Sequence, residues 1–270
     1  MSKKVLYEKK GEVAYVTLNR PECKNAVDYE THLLLCDVWK DFRDDPKLQV
    51  AILTGTGDAF TAGADLKTHA PEWRKVGPMV GRERLEDGLS GITRGPLSCI
   101  AKPIVAAING WCLGHGVELA MACDIRVASD RAQFGTFEVR RGMHAADGGI
   151  VGLVNVCGAG IALEMVLTGE PISAARALMA NMVSRVVPHS ELMPATEDLV
   201  THILRNDQAA IQSAKETVLE VIGRPLHDQL RVEALWGYAL CGGNQSVMGR
   251  SQQFFEKTDR GRAGATKNSL

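Results

Sequence analysis

Two glutamates stand out because each follows small residues that could bare the backbone to a ligand. Glu118 lies in Asn109-Gly110-Trp111-Cys112-Leu113-Gly114-His115-Gly116-Val117-Glu118-Leu119-Ala120, where glycines bracket the start of a helix. Free N–H groups and the helix dipole at such a start favour a developing negative charge. Glu118 falls in the first turn, close to whatever those donors hold. Its neighbours Val117, Leu119 and Met121 are apolar, so its pKa is expected to be raised toward values useful for acid or base work. The plainer alternative is a glutamate completing the helix cap.

Glu138 ends Ala132-Gln133-Phe134-Gly135-Thr136-Phe137-Glu138, a single acid among aromatic and small residues. Its plainer alternative is a surface pair with Arg140 or Arg141. A third acid, Asp147, sits in Gly142-Met143-His144-Ala145-Ala146-Asp147-Gly148-Gly149. It either caps a helix starting near Gly148 or joins the glutamates, where like charge would raise at least one pKa. Upstream, Ala62, Gly63 and Ala64 in the run Ala59 to Lys67 leave N–H groups open to close approach. A tight turn packed with small residues is the alternative there.

These residues need a scaffold, and the chain alternates strand and helix signals. Val13 to Leu18 reads as a strand closed by Asn19-Arg20-Pro21. Asp28 reads as an N-cap before Leu34, Leu35, Val38, Trp39 and Phe42 at helical spacing. Val50 to Thr54 and Ile104 to Ile108 are short apolar strands, each ended by a glycine turn. A helix over Gly116 to Cys123 and a strand over Ile125 to Ala128 follow. The alternation argues for an α/β domain with strands buried on both faces. From about Glu191 the pattern turns helical: Leu192 to Leu204, Gln208 to Val221, Leu226 to Leu240, and Gln245 to Lys257. The residues after Thr258 are polar and expected to be disordered. Gly148 to Gly169 is apolar enough to raise a membrane question, but Asn155, Glu164 and its glycines suit a spanning helix badly. It reads as a loop followed by a buried helix.

Composition narrows the partners. The chain has 270 residues, enough for one large domain with an appendage, and a net charge of -1. That charge offers no field for nucleic acid or an anionic membrane. Seven cysteines, an odd count among mostly apolar neighbours, read as free thiols in a reducing cytosol. Met1 to Lys10 is polar and shows no signal peptide, so a cytoplasmic location is expected. No His, Cys or carboxylate set has metal-ligand spacing, and no metal or cofactor is expected. His69, His189, His202 and His227 read as surface or packing residues.

The order of these motifs is more specific than any one of them. Asn19-Arg20-Pro21 with Asn25-Ala26, Ala62-Gly63-Ala64-Asp65, the Gly114 to Glu118 helix start with Ala122-Cys123-Asp124, Phe134 to Glu138, Leu167-Thr168-Gly169 and Val183 to Val187 together resemble the crotonase (enoyl-CoA hydratase/isomerase) superfamily over nearly the whole chain. The resemblance implies a spiral of strand-strand-helix units over 1–195, a C-terminal helical oligomerisation region over 196–257 and a tail over 258–270. It implies a homotrimer or a dimer of trimers. It further implies an acyl-CoA thioester substrate, coenzyme A arriving with it, and an oxyanion hole from the backbone N–H groups of Ala64 and His115. Glu118 would activate a water and Glu138 deliver a proton to carbon 2, making a hydro-lyase. Coenzyme A would lie near Lys24, Asn25, Ala26, Asp65, Leu66 and Lys67, with Gly63 and Gly114 also against the substrate. Lys67 to Pro96, with Trp73, Met79 and Leu85, would cover the acyl group. The chain departs from the hydratase pattern at His115, whose side chain would narrow or gate the pocket or serve structure. It departs again at Asp147, where dienoyl-CoA isomerases, dihydroxynaphthoyl-CoA synthases and ring-cleaving hydrolases of the superfamily often carry an acid. A non-catalytic RNA-binding or scaffold role is a third possibility, disfavoured by the near-neutral charge and the intact carboxylates.

Overall fold

Strands whose two faces are both apolar must be covered twice. In β3 (Val50–Gly55) the side chains of Ala51 and Leu53 enter one core, while Val50 and Ile52 enter another. β5 (Ile104–Ile108) is buried along its whole length and divides in the same way, Ala106 and Ile108 against Val105 and Ala107. The first core is closed by α1 (Tyr29–Asp44) through Leu35, Trp39 and Phe42. The second is closed by α7 (Leu192–Leu204) through Leu192 and Val200. Asp28 caps α1 by accepting the Thr31 N–H, as expected.

The computed structural model describes residues 4–83, 85, 88–93, 100–244 and 246–255, without the side chains at 73, 78 and 82. The expected tail, residues 84, 86, 87 and 94–96 of the expected acyl cover, and residues 245, 256 and 257 of the last expected helix lie outside this set, as does the side chain of Trp73. Two sheets result. One has the order β1-β2-β3-β5-β7-β10 and the other β4-β6-β8-β9. Here β1 is Val5–Lys10, β2 Val13–Leu18, β4 Ala59–Thr61, β6 Trp111–Leu113, β7 Ile125–Ser129, β8 Gln133–Gly135, β9 Ile172–Ser173 and β10 Arg185–Val187. Each of the pairs β3/β4, β5/β6 and β7/β8 sends its first strand to the large sheet and its second to the small one. A helix follows each pair: α2 (Leu66–Val76), α4 (His115–Ala122) and α5 (Gly149–Thr168). This is the strand-strand-helix spiral. The smaller helices α3 (Pro78–Glu83) and α6 (Ala174–Met179) complete this unit.

Three expectations change. β1, from the stretch read only as a polar end, pairs antiparallel with β2, and its Val5 and Tyr7 pack on the core. The stretch Gly148 to Gly169 does not open with a loop: the helix begins at Gly149 behind Gly148 at φ 93°, breaks its regular path at Gly158, and buries only Gly149, Leu153, Ala162 and Met165. Val151 and Leu167 stay 64% and 74% exposed, so α5 is not a buried helix. By length and composition alone α5 could cross a membrane. Finally, the chain divides into compact units Met1–Arg205 and Asn206–Leu270. The expected division at 195/196 falls inside α7, which packs on β3, β5 and β7 and belongs to the first unit.

In the second unit α8 (Gln208–Val221) packs on α9 (Leu226–Gly243). Asp207 caps α8 through the Ala210 N–H and also accepts from Asn244 Nδ2 at 2.8 Å. Residues 246–255 are helical.

Candidate active site

The loop after β4 comes unusually close to the start of α4. Gly63 takes φ 95°, and a Cβ there would lie 2.6 Å from the Leu113 carbonyl oxygen and 3.0 Å from the His115 nitrogen. Only glycine permits that approach. The loop is stitched to the segment before α1. The Val27 N–H donates to the Gly63 carbonyl and the Asp65 N–H to that of Val27, each at 2.8 Å. Ala64 lies between these bonds, and its own N–H donates to nothing among the described residues. The His115 N–H, at the first position of α4, is likewise free. Both residues border a pocket of about 360 Å³. Two uncommitted N–H groups on one pocket can stabilise an oxygen that gains negative charge.

Glu118 and Glu138 border the same pocket. Glu118 is 6% exposed, and its carboxylate is fully occupied on one oxygen. Oε1 accepts the Ala146 and Asp147 N–H groups at 2.9 and 2.8 Å, and Oε2 lies 2.9 Å from His115 Nδ1. Burial pushes its pKa up, but the His115 hydrogen bond and the two backbone donors outweigh burial and leave it below the ordinary glutamate value. The expectation of a raised pKa is therefore reversed, because hydrogen-bond donors that the apolar sequence neighbours do not reveal outweigh the burial. The capping alternative also fails: Gly114 is the N-cap, with no side-chain cap bond.

Glu138 sits on the 3-10 turn Phe137–Arg141, beside Gly114, whose hypothetical Cβ would lie 3.6 Å from its Oε1. Its Oε2 is buried without a hydrogen-bond partner among the described residues. Burial, aided by the Glu118 charge, holds its pKa above the ordinary value despite Arg141. The surface-pair alternative does not hold either. Arg140 pairs with Glu170, and Arg141 donates to the Phe137 carbonyl at 3.2 Å.

Asp147 does not cap α5. Its Oδ2 accepts the Leu89 N–H at 3.3 Å, while Oδ1 is buried and unpartnered among the described residues. It borders the pocket, as does His144. His115, Glu118 and Asp147 place ligand-type atoms within 4.8 Å of one another, a convergence that sequence spacing concealed. Both His115 nitrogens and Glu118 Oε1 are already engaged in hydrogen bonds, so this donor set is committed within the protein.

Of the residues expected to hold coenzyme A, Leu66 and Gly114 border the pocket, while Lys24, Asn25, Ala26, Gly63, Asp65 and Lys67 do not. Asn25 is 1% exposed and spends its side chain on Thr56, Ala59 and Arg20. Asp65 binds Arg20, and Lys24 lies 3.4 Å from Asp58 with its ammonium over Trp111. These groups shape the loop that offers Ala64. Of the expected acyl cover, Leu85 borders the pocket and Met79 does not, being 65% exposed.

Sequence reasoning passed over several contributors. His69, read as surface or packing, is buried, borders the pocket and bonds the Val27 carbonyl. Leu89, Phe137 and Met143 border it too. Ser90 was not singled out at all, though Gly88-Leu89-Ser90-Gly91 brackets a hydroxyl with glycines.

A family model described as enoyl-CoA hydratase/isomerase matches residues 8–261. The chain is 40% identical over 205 residues to the mevalonyl-coenzyme A hydratase of Aspergillus fumigatus, covering 76% of this chain and 73% of that one. It is 37% identical over 235 residues to the (E)-benzylidenesuccinyl-CoA hydratase of Thauera aromatica, covering 86% and 89%. The crystal structure of an enoyl-CoA hydratase from Mycobacterium tuberculosis superposes with a TM-score of 0.84 at 31% identity, covering 94% of this chain and 96% of that one.

Proposed function

This chain belongs to the enoyl-CoA hydratase/isomerase family, and from that premise we propose that it adds water across the 2,3 double bond of a 2-enoyl-CoA. The observation that carries the proposal is the opposed hydrogen bonding of two carboxylates on one pocket: Glu118 has three partners, and Glu138 Oε2 has none among the described residues. Those three partners hold the Glu118 pKa below the ordinary glutamate value, and burial holds that of Glu138 above it. A thioester carbonyl oxygen takes the free N–H groups of Ala64 and His115, which withdraws electrons from carbon 3 and favours the enolate-like transition state. Glu118 uses its remaining lone pair on Oε2 to accept a proton from water as the hydroxyl adds to carbon 3. Glu138 gives its proton to carbon 2, and exchange with solvent resets both groups. One water is consumed, and no external cofactor enters the step.

Absorbance at the enoyl-thioester band, with purified protein and crotonyl-CoA, tests this directly. The band is expected to fall, and Glu138→Gln to stop the fall. An untouched crotonyl-CoA beside an isomerised 3,5-dienoyl-CoA overturns the hydratase reading.

That second reading, dienoyl-CoA isomerisation or C–C hydrolysis, rests on Asp147, whose buried Oδ1 lacks a partner on the same pocket. A third proton carrier there would allow protons to be exchanged between two carbons. The proposal extends to assembly and location. The exposed apolar residues of α5, Val151 and Leu167 among them, and those of the second unit, such as Leu226 and Tyr238, support a homotrimer or a dimer of trimers. Light scattering on a sizing column is expected to give the mass of three or six chains, and a monomer contradicts it. The free thiols Cys112 and Cys123 support a reducing, cytoplasmic location.

A further inference from the structure

A buried row of polar groups leads away from the pocket behind Glu118. His115 Nδ1 lies 2.9 Å from Glu118 Oε2, and His115 Nε2 lies 2.9 Å from Ser90 Oγ. Ser90 is held at two further points: its N–H donates to His32 Nδ1 at 3.0 Å, and its carbonyl accepts from Trp39 Nε1 at 2.9 Å. All three side chains of the row, Ser90, His115 and Glu118, are buried.

The backbone at Ser90 indicates that the hydroxyl is there for a reason. Its φ is +70°, in the left-handed region that L side chains avoid. Gly88 and Gly91 on either side also take positive φ. Glycine at position 90 would relieve the strain without altering the backbone path. A serine there is worth its strain only if Oγ does something that glycine cannot.

Serine, histidine and glutamate in a hydrogen-bonded row have the composition of a hydrolase triad, but the accessibility is wrong for one. Ser90 is 0% exposed and does not border the pocket, whereas His115 and Glu118 do. The hydroxyl cannot reach a thioester carbonyl held at Ala64 and His115. Among the described residues its hydroxyl bonds only to the imidazole.

We propose that Ser90 and the His115 imidazole are positioning residues: the Ser90 hydroxyl donates to His115 Nε2, fixing the tautomer whose Nδ1–H donates to Glu118 and keeps that carboxylate ionised and aimed at water. The proton assignment follows from the row itself. An ionised Glu118, already accepting two backbone N–H groups, has no proton to offer. Nδ1 must then donate, which in the neutral ring leaves Nε2 as an acceptor for the Ser90 hydroxyl. The lowered pKa of Glu118 agrees with this. His115 thereby acquires two roles, a backbone donor for the thioester and a side-chain donor for the base. The inference rests on the hydratase reading for its kinetic consequence but not for its geometry.

The groups that bear on its pH dependence come from every neighbouring element. Glu118 is faced by His115 on α4, by Asp147 from the segment before α5, and by Glu138 from its 3-10 turn. His115 is faced in turn by His32 from α1 and His69 from α2. His32 is held neutral, with its pKa pushed down to about 4 by burial and by the two other imidazoles.

Ser90→Gly is the informative variant, because it removes the hydroxyl and relieves strain together, so misfolding is not the expected cause of any loss. In substrate-free protein carrying isotope-labelled histidine, ring-nitrogen NMR is expected to show His115 protonated on Nδ1 and bare on Nε2. His115→Asn identifies the signals. Ser90→Gly is expected to give a mixture of tautomers, to lower kcat on crotonyl-CoA by about ten-fold with KM changed by less than about two-fold, and to move the acid limb of the kcat profile to higher pH. A wild-type ring protonated on Nε2, or a glycine variant with tautomer and kcat unchanged, overturns the relay. Coenzyme A release from a saturated acyl-CoA that disappears in Ser90→Gly also overturns it, since Ser90 would then be a nucleophile. If wild-type protein leaves every enoyl-CoA unchanged, the hydratase reading fails, and the ring-nitrogen result still decides the relay.

Discussion

The two walls of the pocket shift the pKa of the same side chain in opposite directions. On one wall, the start of α4 meets the segment at Ala146 and Asp147, and Glu118 receives three hydrogen-bond partners. On the other, the turn Phe137–Arg141 leaves Glu138 with a buried oxygen that nothing satisfies among the described residues. Burial acts on both carboxyls, yet one pKa falls and the other rises. The difference lies in the donors each wall supplies, and the proposed hydration would use it to separate an acceptor of protons from a donor of them.

Removing either carboxylate breaks the comparison most severely. Glu118→Gln and Glu138→Gln are each expected to lower kcat by about a hundred- to ten-thousand-fold, measured as loss of enoyl-thioester absorbance. Retained full activity in both variants contradicts the assignment. Gly63→Val should come next. Its branched side chain would meet the Leu113 carbonyl and the His115 nitrogen, displace the Ala64 donor and lower kcat by about a hundred-fold or more. Circular dichroism separates that loss from unfolding.

Asp147→Asn sharpens the contrast between the walls. A change of less than about ten-fold in hydration, with 3,5-dienoyl-CoA left untouched, keeps Asp147 out of the proton inventory. A larger fall in the isomerisation of that dienoyl-CoA brings it in.

The smallest effect is on stability, and its sign differs between the walls. Glu118 has a depressed pKa when folded, so its contribution is present above the unfolded carboxyl pKa and is lost as pH falls through the folded value. Glu138 has a raised pKa, so its contribution is full below the unfolded value and is lost as pH rises through the folded one. At neutral pH, Glu118→Gln is therefore expected to destabilise by about 1–3 kcal/mol, and Glu138→Gln to melt no lower than wild type. Urea unfolding at neutral and acid pH reads both signs.

Much of the scaffold was legible because it is written in local patterns. Val50 and Ile104 open short apolar strands, and Asp28 marks a cap, all readable from neighbours in sequence. Glu118, Glu138 and Asp147 were legible as types, and the glycines at 63 and 114 pointed to bare backbone. What neighbours could not convey was ionisation. The two backbone donors to Glu118 come from 28 and 29 residues away, and Ser90 reaches His115 across 25. The strand Val5–Lys10 was hidden for a related reason. Its edge position exposes the charged Glu8, Lys9 and Lys10, and only pairing with β2 makes it a strand.

The mass of the product formed from a 2-enoyl-CoA tests the central reading most directly. An acyl-CoA heavier by one water, formed by wild type and not by Glu118→Gln, is the expected result. A product of unchanged mass with a shifted double bond, or one formed equally well without Glu118, contradicts it.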